Sequence, residues 1–564
     1  MMSKVVVSAF SLILVVGVVI GVVAVVHRGG SESGDKVSTS TKNVAQICQP
    51  TDYKEVCEKS LGSVNNTEDP KEYVMAAILA TMEAAKKSFN LSDDLVVKTK
   101  SSDPDTKMAL EDCKELLDDA VEELQASFAS VGESSLHTMD KRVAELQNWL
   151  SAVITYQQTC LDQFGDPNSQ YKSTMKDGMV DASQLTSNAL AIVNALAKIV
   201  SSLGLKFNFG SDSGNSTRRL LSVGEDGYPT WYSSPKRRLM ATQDLSTIKP
   251  NATVALDGSG DFKTITEALN SIPLKNEGPF TIYVKEGVYK EYVSVDKKKV
   301  NVFMYGDGPL KTIVTGSHSN KTGYKTMRSA TFEALGEGFT ARSMAFENTA
   351  GPEGHQAVAL RVQADRAAFF DCKIDGYQDT LYVQAHRQFF SKCSISGTID
   401  FIFGDASCVI QNSEIVVRRP MNNQFNTVTA QGRAIRHQTT GLVLQNCTII
   451  GEDKLLPDKN TLLSYLGRPW KEFSRAVIME SEITDVIHPD GWLPWNGNLY
   501  LDTLEFIEYG NTGTGAATDK RVKWKGFKVM TDKNEATQFT VDPFIQGNEW
   551  LNGTNGNYIP GLIR

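Results

Sequence analysis

The chain has 564 residues, of which 41% are hydrophobic and 22% charged, a composition typical of globular proteins rather than disordered or fibrous ones. This length predicts two or three domains. The formal net charge of −8 argues against nucleic-acid binding, because a nucleic-acid-binding protein normally presents a basic face. From Ala241 onward, 34 Lys and Arg oppose 36 Asp and Glu, a charge of −2 that leaves −6 for residues 1–240.

The first predicted element is the apolar run Val5–Val26, flanked by Lys4 and Arg28. Its 22 residues exceed the roughly 7–15 apolar residues of a cleaved signal peptide and match the roughly 20 that span a bilayer. We therefore expect residues 1–30 to be a signal peptide or a signal anchor that sends the chain into the secretory pathway. Seven glycosylation sequons agree with secretion: Asn65, Asn90, Asn215, Asn251, Asn320, Asn446 and Asn552.

Residues 43–205 contain four segments with apolar residues three and four positions apart, the spacing of amphipathic helices. Four such helices with short connections predict an all-α four-helix bundle. The four cysteines of this region are expected to be bridged in an oxidising compartment. They allow three pairings, of which Cys48 with Cys57 and Cys113 with Cys160 is the most local.

Residues 206–245 are rich in Gly, Ser, Asn and Pro and show no periodicity, so we interpret them as a linker. The linker contains two dibasic sites, Arg218-Arg219 in RRLL and Arg237-Arg238 in RRLM. A single dibasic pair is usually a pair of solvent-exposed charges without a role in processing. Two similar tetrapeptides in an exposed secretory linker favour proteolytic processing, because proteases reach such segments.

The region 246–564 consists of short segments rich in β-branched and aromatic residues, separated by turn residues. These segments repeat in steps of 21, 20 and 34 residues, the last enlarged by an insertion. A repeat of about 20 residues with several short strands predicts a parallel β-helix. The residues that align in columns are Ile374, Ile395, Ile415 and Ile449, and, two positions earlier, Cys372, Cys393, Ser413 and Cys447.

The column alignment also bears on the cysteines of this region. Cys372 and Cys393 would lie on adjacent coils, within disulfide range if both side chains face the same way. Cys408 and Cys447 then remain as the other possible pair. The alternative is that these cysteines are free thiols stacked in the core.

The same 21-residue step relates Asp379 in GYQDTLY to Asp400 in GTIDFIFG. On adjacent coils the two carboxylates would lie roughly 4.8 Å apart. Two carboxylates this close cannot both ionise cheaply, so the pKa of one rises. This pattern predicts an ionised nucleophile beside a general acid/base. The structural alternative is a pair of surface aspartates at the corners of the coil.

Further polar and aromatic side chains support a catalytic interpretation. Gln378 adjoins the first aspartate and Gln356 lies 22 residues earlier, so two amides face the region where an oxyanion would develop. Arg468 in LGRPW is expected to hold the ionised aspartate by a charge-assisted hydrogen bond. Trp470 and Trp492 are candidate platforms for a sugar ring.

No motif in the sequence indicates a metal or a cofactor. The chain lacks CxxC and HExxH motifs. The segment DGSGDFKT (257–264) contains GxG without GK[ST], so we interpret it as a turn that enters a helix rather than as a phosphate loop.

Five segments resemble the signature blocks of plant pectin methylesterases, in the order of that family. The segment ICQPTDYKEVC (47–57) resembles the start of the pectin methylesterase inhibitors, four-helix bundles with two disulfides. The resemblance implies an inhibitor-like pro-region and a right-handed parallel β-helix as catalytic domain, joined by a processing linker. The five blocks are GVYKEYV (287–293), QAVALRV (356–362), GYQDTLY (376–382), GTIDFIFG (397–404) and LGRPW (466–470).

The resemblance also implies residue roles. Asp400 would be the nucleophile and Asp379 the acid/base, with Gln356 and Gln378 at the oxyanion. Substrate would be held by Arg468, Trp470 and Thr326.

Two positions depart from the family pattern. Lys325-Thr326-Met327 stands where the family usually has Thr-Thr-Phe. Asp405 stands where an Asn is common. The additional charge near the site is expected to shift the pH preference of the enzyme.

The implied activity is hydrolysis of the methyl esters of pectin (polygalacturonate) to pectate and methanol in the cell wall, without a cofactor. The implied partners are pectin, a subtilisin-like processing protease and a proteinaceous inhibitor of the four-helix type. Membrane contact is expected only through the N-terminal segment. Pectate lyases and polygalacturonases also use β-helices, but the two-Gln, two-Asp and Arg set suits neither a calcium site nor a glycosidase carboxylate pair. The third alternative, an inactive wall-binding protein or inhibitor, would have been favoured by damage to a site residue, and none is missing.

Overall fold

The computed structural model describes residues 44–64, 69–99, 103–134, 139–202, 245, 248–273, 278–551 and 558–563. The apolar run Val5–Val26 and both dibasic sites lie outside these residues. The predictions about the anchor and about cleavage of the linker therefore remain predictions. In the part of the chain that the structure describes, no helix is long and apolar enough to cross a membrane.

The N-terminal region is helical. The two longest helices each begin with an Asp-Pro pair: Asp69 accepts a hydrogen bond from the backbone of Lys71, and Asp103 from that of Thr106. The side chains cap the first turn, and proline suits the first helical position. The helices are α1 (Lys54–Leu61), α2 (Pro70–Lys98), α3 (Pro104–Glu133), α4 (Met139–Asp162), α5 (Gln170–Gly178) and α6 (Val180–Ser202).

Helices α2, α3, α4 and α6 form the predicted four-helix bundle. Helix α2 packs against α3 and α6, and α4 packs against the same two helices, so the four surround one core. Two disulfides join Cys48 to Cys57 and Cys113 to Cys160. The most local of the three possible pairings is confirmed.

The region after Pro250 consists of short strands with four short helices. The strands up to the middle of this region are β1 (Ala252–Val254), β2 (Phe280–Val284), β3 (Gly287–Lys290), β4 (Val293–Val295), β5 (Val302–Gly306), β6 (Thr312–Gly316), β7 (Phe332–Ala334), β8 (Thr340–Arg342), β9 (Ala345–Asn348), β10 (Leu360–Val362), β11 (Ala367–Phe370), β12 (Lys373–Asp375) and β13 (Leu381–Val383). The remaining strands are β14 (Arg387–Ser391), β15 (Ser394–Gly397), β16 (Ile402–Gly404), β17 (Ser407–Gln411), β18 (Glu414–Val417), β19 (Asn426–Gln431), β20 (Gly441–Gln445), β21 (Thr448–Gly451), β22 (Ser464–Gly467), β23 (Arg475–Met479), β24 (Glu482–Ile483), β25 (Glu505–Tyr509) and β26 (Phe527–Val529). The helices are α7 (Ile265–Asn270), α8 (Lys533–Thr537), α9 (Val541–Ile545) and α10 (Gly547–Trp550).

These strands form three parallel sheets. From β2 to β25, successive strands lie in different sheets, and the chain returns to the same sheet after one coil, as from β11 through β12 and β13 to β14. This is the predicted parallel β-helix. The first sheet has the order β1-β2-β5-β8-β11-β14-β17-β20-β23-β25-β26, the second β22-β19-β16-β13-β10-β7-β4, and the third β24-β21-β18-β15-β12-β9-β6-β3.

The register of the sheets matches the columns predicted from the repeat. Ile374 pairs with Ile395, Ile395 with Ile415, and Ile415 with Ile449. In the neighbouring column the rings of Phe369 and the residue paired with it, Phe390, stack 4.7 Å apart and nearly parallel. Identical register from coil to coil places like side chains above one another and fills the interior.

The segment 257–264 leads into helix α7, as predicted. The side chain of Thr264 accepts a hydrogen bond from the backbone of Glu267, whose own side chain bonds back to Thr264. This capping box satisfies backbone donors at the start of the helix. Helix α7 packs against β1 and β4.

The prediction of a disulfide between Cys372 and Cys393 is wrong. Both residues are buried free thiols, as are Cys408 and Cys447. Residues in register on parallel strands lie about 4.8 Å apart, which is within the Cα range of a disulfide, so the directions of the side chains, not the strand spacing, keep the two thiols unbridged. The Cys372 thiol instead donates to the carbonyl oxygen of Phe370 over 3.3 Å. The alternative prediction, that the four cysteines of the β-helix are free thiols in the core, is confirmed.

Candidate active site

Asp379 and Asp400 occupy the same position on adjacent coils. Each lies two residues before a strand of the second sheet, β13 or β16, and the first residues of these strands, Leu381 and Ile402, are paired in register. Both aspartates have left-handed backbone angles, with φ of 61° and 50°, a conformation that Asp tolerates better than most residues. Both side chains are buried, with 8% and 6% exposed. The 21-residue step thus places the two carboxyl groups side by side.

Asp400 is held by donors from the following coils. Arg468 donates from Nε to Oδ1 over 2.8 Å and from Nη2 to Oδ2 over 2.6 Å, the predicted two-point contact. The hydroxyl of Thr427 donates to Oδ1 over 2.6 Å and accepts from the backbone N–H of Asp400 over 2.8 Å. Such charge-assisted bonds orient the carboxylate and complement its negative charge.

The guanidinium of Arg468 is itself fixed by aromatic rings. Its central carbon lies 4.2 Å from the ring centroid of Trp495 and 5.4 Å from that of Phe425. Cation–π contacts of this kind restrict a long side chain to one orientation. Trp495, Phe425 and Thr427 support the site, and the sequence pattern identified none of them.

The surroundings of Asp379 disfavour its charged form. Burial and the neighbouring charge of Asp400 raise its pKa well above the ordinary value, although Arg468 acts in the other direction. Asp379 therefore keeps its proton to a higher pH than an ordinary aspartate does. The pair combines a carboxyl group that can donate a proton with a carboxylate held by Arg468.

An open pocket of about 370 Å³ collects the predicted site residues. The amide-bearing residues Gln356 and Gln378 lie on neighbouring coils, linked by a backbone hydrogen bond from Ala357 to Gln378. Seven of the eight predicted catalytic and substrate-binding residues line the pocket: Thr326, Gln356, Gln378, Asp379, Asp400, Arg468 and Trp470.

The eighth, Trp492, is not a substrate platform, so that prediction is wrong. Only 1% of this residue is exposed. Its indole N–H donates to Glu508 over 3.1 Å, and its ring packs against Phe506 inside the β-helix. A side chain committed to the core cannot contact a polysaccharide. Trp495, three residues later, lines the pocket instead.

Asp405 lies outside the pocket lining, at the contact with the bundle. Its carboxylate accepts hydrogen bonds from Gln431, Gln438 and Thr440 of the β-helix and from Thr155 of helix α4. Burial raises its pKa, and the bonds from Thr440, Thr155 and Gln438 partly offset this rise. The extra charge thus contributes to the domain contact.

The bundle covers the pocket. Asp162, Gln163 and Gly165, at and after the end of α4, line the pocket together with the two aspartates. Tyr382 and Phe403, which point outward from β13 and β16, belong to one buried apolar cluster with the bundle core. Their neighbours in the strands point inward, as the period of two requires. The outer face of the second sheet is therefore a packed interface.

Among the described residues, the ion pairs across this interface all place the positive charge on the same side. In each pair the cation belongs to the β-helix and the carboxylate to the bundle, which agrees with the acidic balance of residues 1–240. These pairs include Lys297–Asp119 (2.5 Å), Lys325–Asp105 (2.6 Å), Arg328–Asp112 (2.5 Å), Arg366–Glu145 (3.1 Å), Lys471–Asp162 (2.5 Å) and Arg436–Asp52.

His386 lies at the centre of the interface. Its ring nitrogens lie 3.1 Å from the Asn148 amide and 3.0 Å from the Tyr156 hydroxyl. Glu123 lies 3.1 Å from the second nitrogen. Burial lowers the pKa of His386, but Glu123 and Asp365 outweigh it and the net direction is upward. The two neighbouring carboxylates thus offset the cost of burying this ring.

Comparisons with known proteins agree with the fold. Residues 251–548 match the Pectinesterase family model, and residues 42–192 match that of the Plant invertase/pectin methylesterase inhibitor family. Fold, site and match define a carboxylic ester hydrolase built on a parallel β-helix. The chain belongs to the pectinesterase family, with pectin methylesterase activity and an N-terminal inhibitor-like domain.

Relatives share both parts of the chain. "Probable pectinesterase/pectinesterase inhibitor 13" of Arabidopsis thaliana is 45% identical over 534 residues, covering 94% of this chain and 83% of the relative. "Probable pectinesterase/pectinesterase inhibitor 21" of the same plant is 43% identical over 562 residues, covering 99% and 82%. The solved structure of pectin methylesterase from carrot is 51% identical with a TM-score of 0.56, covering 57% of this chain and 100% of the carrot chain.

Proposed function

We propose that this chain de-esterifies pectin in the cell wall with Asp400 as nucleophile, and that the N-terminal bundle inhibits it until proteolysis removes the bundle. The observation that carries the catalytic part is the two-point contact of Arg468 with Asp400, beside an Asp379 whose pKa is raised. One carboxyl group is thereby prepared to attack and its neighbour to donate a proton.

In the first half of the reaction, an oxygen of Asp400 attacks the carbonyl carbon of the methyl ester. The carbonyl oxygen becomes an oxyanion, which the side-chain amides of Gln356 and Gln378 stabilise. One such donor is typically worth about 10²–10³ in rate. Asp379 protonates the departing methanol, and an anhydride between Asp400 and the galacturonate unit remains.

In the second half, water hydrolyses this acyl-enzyme. Asp379 is now ionised and takes a proton from the attacking water, so the residue that was the acid becomes the base. The water oxygen enters the galacturonate carboxyl group, Asp400 leaves as a carboxylate, Asp379 keeps the proton taken from the water, and the product acid releases its remaining proton to solvent. Both carboxyl groups return to their starting states without a cofactor.

Product analysis distinguishes this activity from the other β-helical pectin enzymes. Esterified pectin treated with the catalytic part should release methanol while the polymer keeps its length. A lyase would shorten the chain with unsaturated ends, and a polygalacturonase would shorten it with new reducing ends. Chain shortening without methanol would contradict the esterase assignment.

The inhibitory role of the bundle rests on where helix α4 ends. Asp162, Gln163 and Gly165 stand over the pocket that contains Asp379 and Asp400. A pectin chain needs an open cleft on both sides of the reacting ester, and the docked bundle reduces that cleft to a pocket of about 370 Å³. The proposed inhibition is therefore steric and lasts as long as the bundle is docked.

Charge reversal at the bundle should activate the uncleaved chain. Asp105→Lys with Asp162→Lys replaces two attractive pairs, with Lys325 and Lys471, by repulsive ones. At about 1 kcal/mol or more per pair, the open fraction should rise roughly 10- to 100-fold. Methanol release by a chain whose four dibasic arginines are replaced measures this directly.

The control for this experiment is Asp93→Lys, which makes one such charge reversal within the bundle. Asp93 pairs with Lys114 of helix α3 and makes no ion pair with the β-helix among the described residues. Its variant should stay as inactive as the parent chain. Equal activity of the parent chain and the Asp105→Lys, Asp162→Lys chain would contradict inhibition by docking.

The proposed removal of the bundle rests on the sequence of the linker. Arg218-Arg219 and Arg237-Arg238 separate the bundle from the first strand. A subtilisin-like protease that recognises dibasic sites would release the β-helix near Leu220 or near Leu239–Ala241. N-terminal sequencing of the wall form tests this proposal, and a wall form that retains helices α1–α6 would contradict it.

A further inference from the structure

Two lysines flank the catalytic pocket. Lys325 lines the pocket next to Thr326, and Lys471 follows the pocket residue Trp470. Their side chains are only 13% and 19% exposed. An ammonium group this sheltered needs a negative partner near it.

The partners of both lysines are bundle carboxylates. The ammonium group of Lys325 lies 2.6 Å from Asp105, and that of Lys471 lies 2.5 Å from Asp162. Gly165 is also close to Lys325, because a Cβ at this glycine would lie 3.4 Å from the lysine nitrogen. Both lysines therefore face the part of the bundle that covers the pocket.

The two lysines lie on opposite sides of the aspartates along the β-helix axis. In the second sheet, β7, β10, β13, β16, β19 and β22 follow one another. Lys325 precedes β7 and Lys471 follows β22, whereas Asp379 and Asp400 immediately precede the central strands β13 and β16. A polymer lying along the cleft would thus meet one lysine before and one after the reacting ester.

The reaction itself generates the anion that such lysines bind. Each turnover converts an uncharged methyl ester into a carboxylate, so a partly processed pectin chain carries negative groups on both sides of the remaining esters. The carboxylates of Asp105 and Asp162 mark where a carboxylate fits against each ammonium group. Arg328 and Lys297, each paired with a bundle carboxylate over 2.5 Å, extend this basic face.

We propose that Lys325 and Lys471 are substrate-binding residues that select esters flanked by units already converted to free galacturonate. In the uncleaved chain, Asp105 and Asp162 occupy these two carboxylate positions. The inference rests on the proposed function and deepens it, since it specifies which pectin the site prefers. An enzyme with this preference works next to its own product and extends blocks of free carboxylates.

The test uses the catalytic part, residues 246–564, without the bundle. We expect this part to fold without the bundle, because its largest buried cluster consists of residues between Ala252 and Phe506 alone. The carrot enzyme, matched over its whole length, likewise corresponds to 57% of this chain. The substrates are a highly methyl-esterified pectin and the same pectin randomly de-esterified to about half by base.

The variants are Lys325→Met, Lys471→Met and the pair combined, with Lys311→Met as control. Lys311 is an exposed lysine in the turn between β5 and β6, away from the cleft. The ratio of kcat/KM on half-esterified to that on highly esterified pectin should fall about 5-fold per lysine, the scale of one partly exposed ion pair. The fall should come from KM, and the wild-type ratio should decline with added NaCl. Lys311→Met should keep the wild-type ratio.

A second measurement is inhibition by fully de-esterified polygalacturonate. It should inhibit the double variant at least tenfold more weakly than the wild-type part, and Lys311→Met like the wild type. An unchanged kcat/KM ratio together with unchanged inhibition would show that the lysines only hold the bundle, which overturns the inference. A wild-type part that released no methanol from either pectin would overturn the esterase function and the inference with it.

Discussion

Replacing Asp400 with asparagine is expected to abolish methanol release from esterified pectin while leaving the β-helix folded and able to bind pectin. The amide has the shape of the carboxylate, and its single oxygen still accepts from Nε of Arg468 and from Thr427, but its NH2 group cannot accept the second bond from Arg468. The amide is also not a nucleophile. Loss of the nucleophile in hydrolases costs on the order of 10⁴–10⁶ in rate. The measurement is initial methanol release by the catalytic part, with pectin binding measured in parallel.

Asp371→Asn provides the matched control for this variant. Asp371 also has a left-handed backbone, with φ of 51°, at a corner of the coil, but it faces Ser343 outside the pocket. Its variant should retain wild-type activity. Near-normal methanol release by Asp400→Asn, together with inactivity of Asp379→Asn, would show that the two roles are assigned the wrong way round.

Replacing Asp379 with asparagine is expected to lower kcat by roughly 10²–10⁴, the usual cost of a lost general acid/base. The pH profile should change as well. The raised pKa of Asp379 keeps its proton in place below that pKa, so wild-type activity should fall as the pH rises through it. The residual activity of the variant should lack this alkaline fall, and its persistence would assign it to another group.

The same variant has an expected effect on stability with a defined sign. A carboxyl group whose pKa is raised by folding binds more protons in the folded state than in the unfolded state. Its contribution to the free energy of unfolding is then greatest below the unfolded pKa of about 4 and is lost as the pH rises through the folded pKa. Ionising the buried Asp379 therefore lowers the free energy of unfolding, and Asp379→Asn, which cannot ionise, removes this cost. Its thermal unfolding midpoint at pH 7 should therefore equal or exceed that of the wild type, which separates lost catalysis from lost folding.

The sequence was sufficient to predict the β-helix and the aspartate pair because both depend on one regular feature. In a coil of constant length, residues about 21 positions apart must stack, so the column of Ile374 and Ile395 also places Asp379 against Asp400. The bundle and its disulfides were predictable for a similar reason, since helical periodicity and local pairing are short-range properties.

The remaining site features depend on contacts that no local pattern encodes. Thr427 reaches Asp400 from a coil lengthened by an insertion, so a fixed step cannot find it. Trp492 and Trp495 stand in one irregular segment, and only the direction of each side chain decides which lies in the core and which in the pocket. The free thiols of Cys372 and Cys393 depend on the directions of their side chains, which donate to backbone carbonyl oxygens although the two residues align.

The docking of the bundle onto the β-helix could not be predicted from the sequence either. The contacts of Thr155 with Asp405 and of Arg328 with Asp112 join residues more than 200 positions apart. A charge of −6 before Ala241 indicated an acidic region without showing which surface it would meet. The polarity of the interface, and with it the position of Lys325 and Lys471, is visible only in the folded chain.

The central claim is that an acyl-enzyme forms on Asp400, and partitioning with hydroxylamine tests it most directly. The catalytic part would act on methyl and ethyl esters of polygalacturonate at a fixed hydroxylamine concentration, and the yields of hydroxamate and free carboxylate would be measured. If both esters give the same acyl-enzyme, the ratio of the two products should be identical although the overall rates differ. A ratio that changed with the departing alcohol would contradict the account, because the alcohol would then still be present when the second nucleophile attacks.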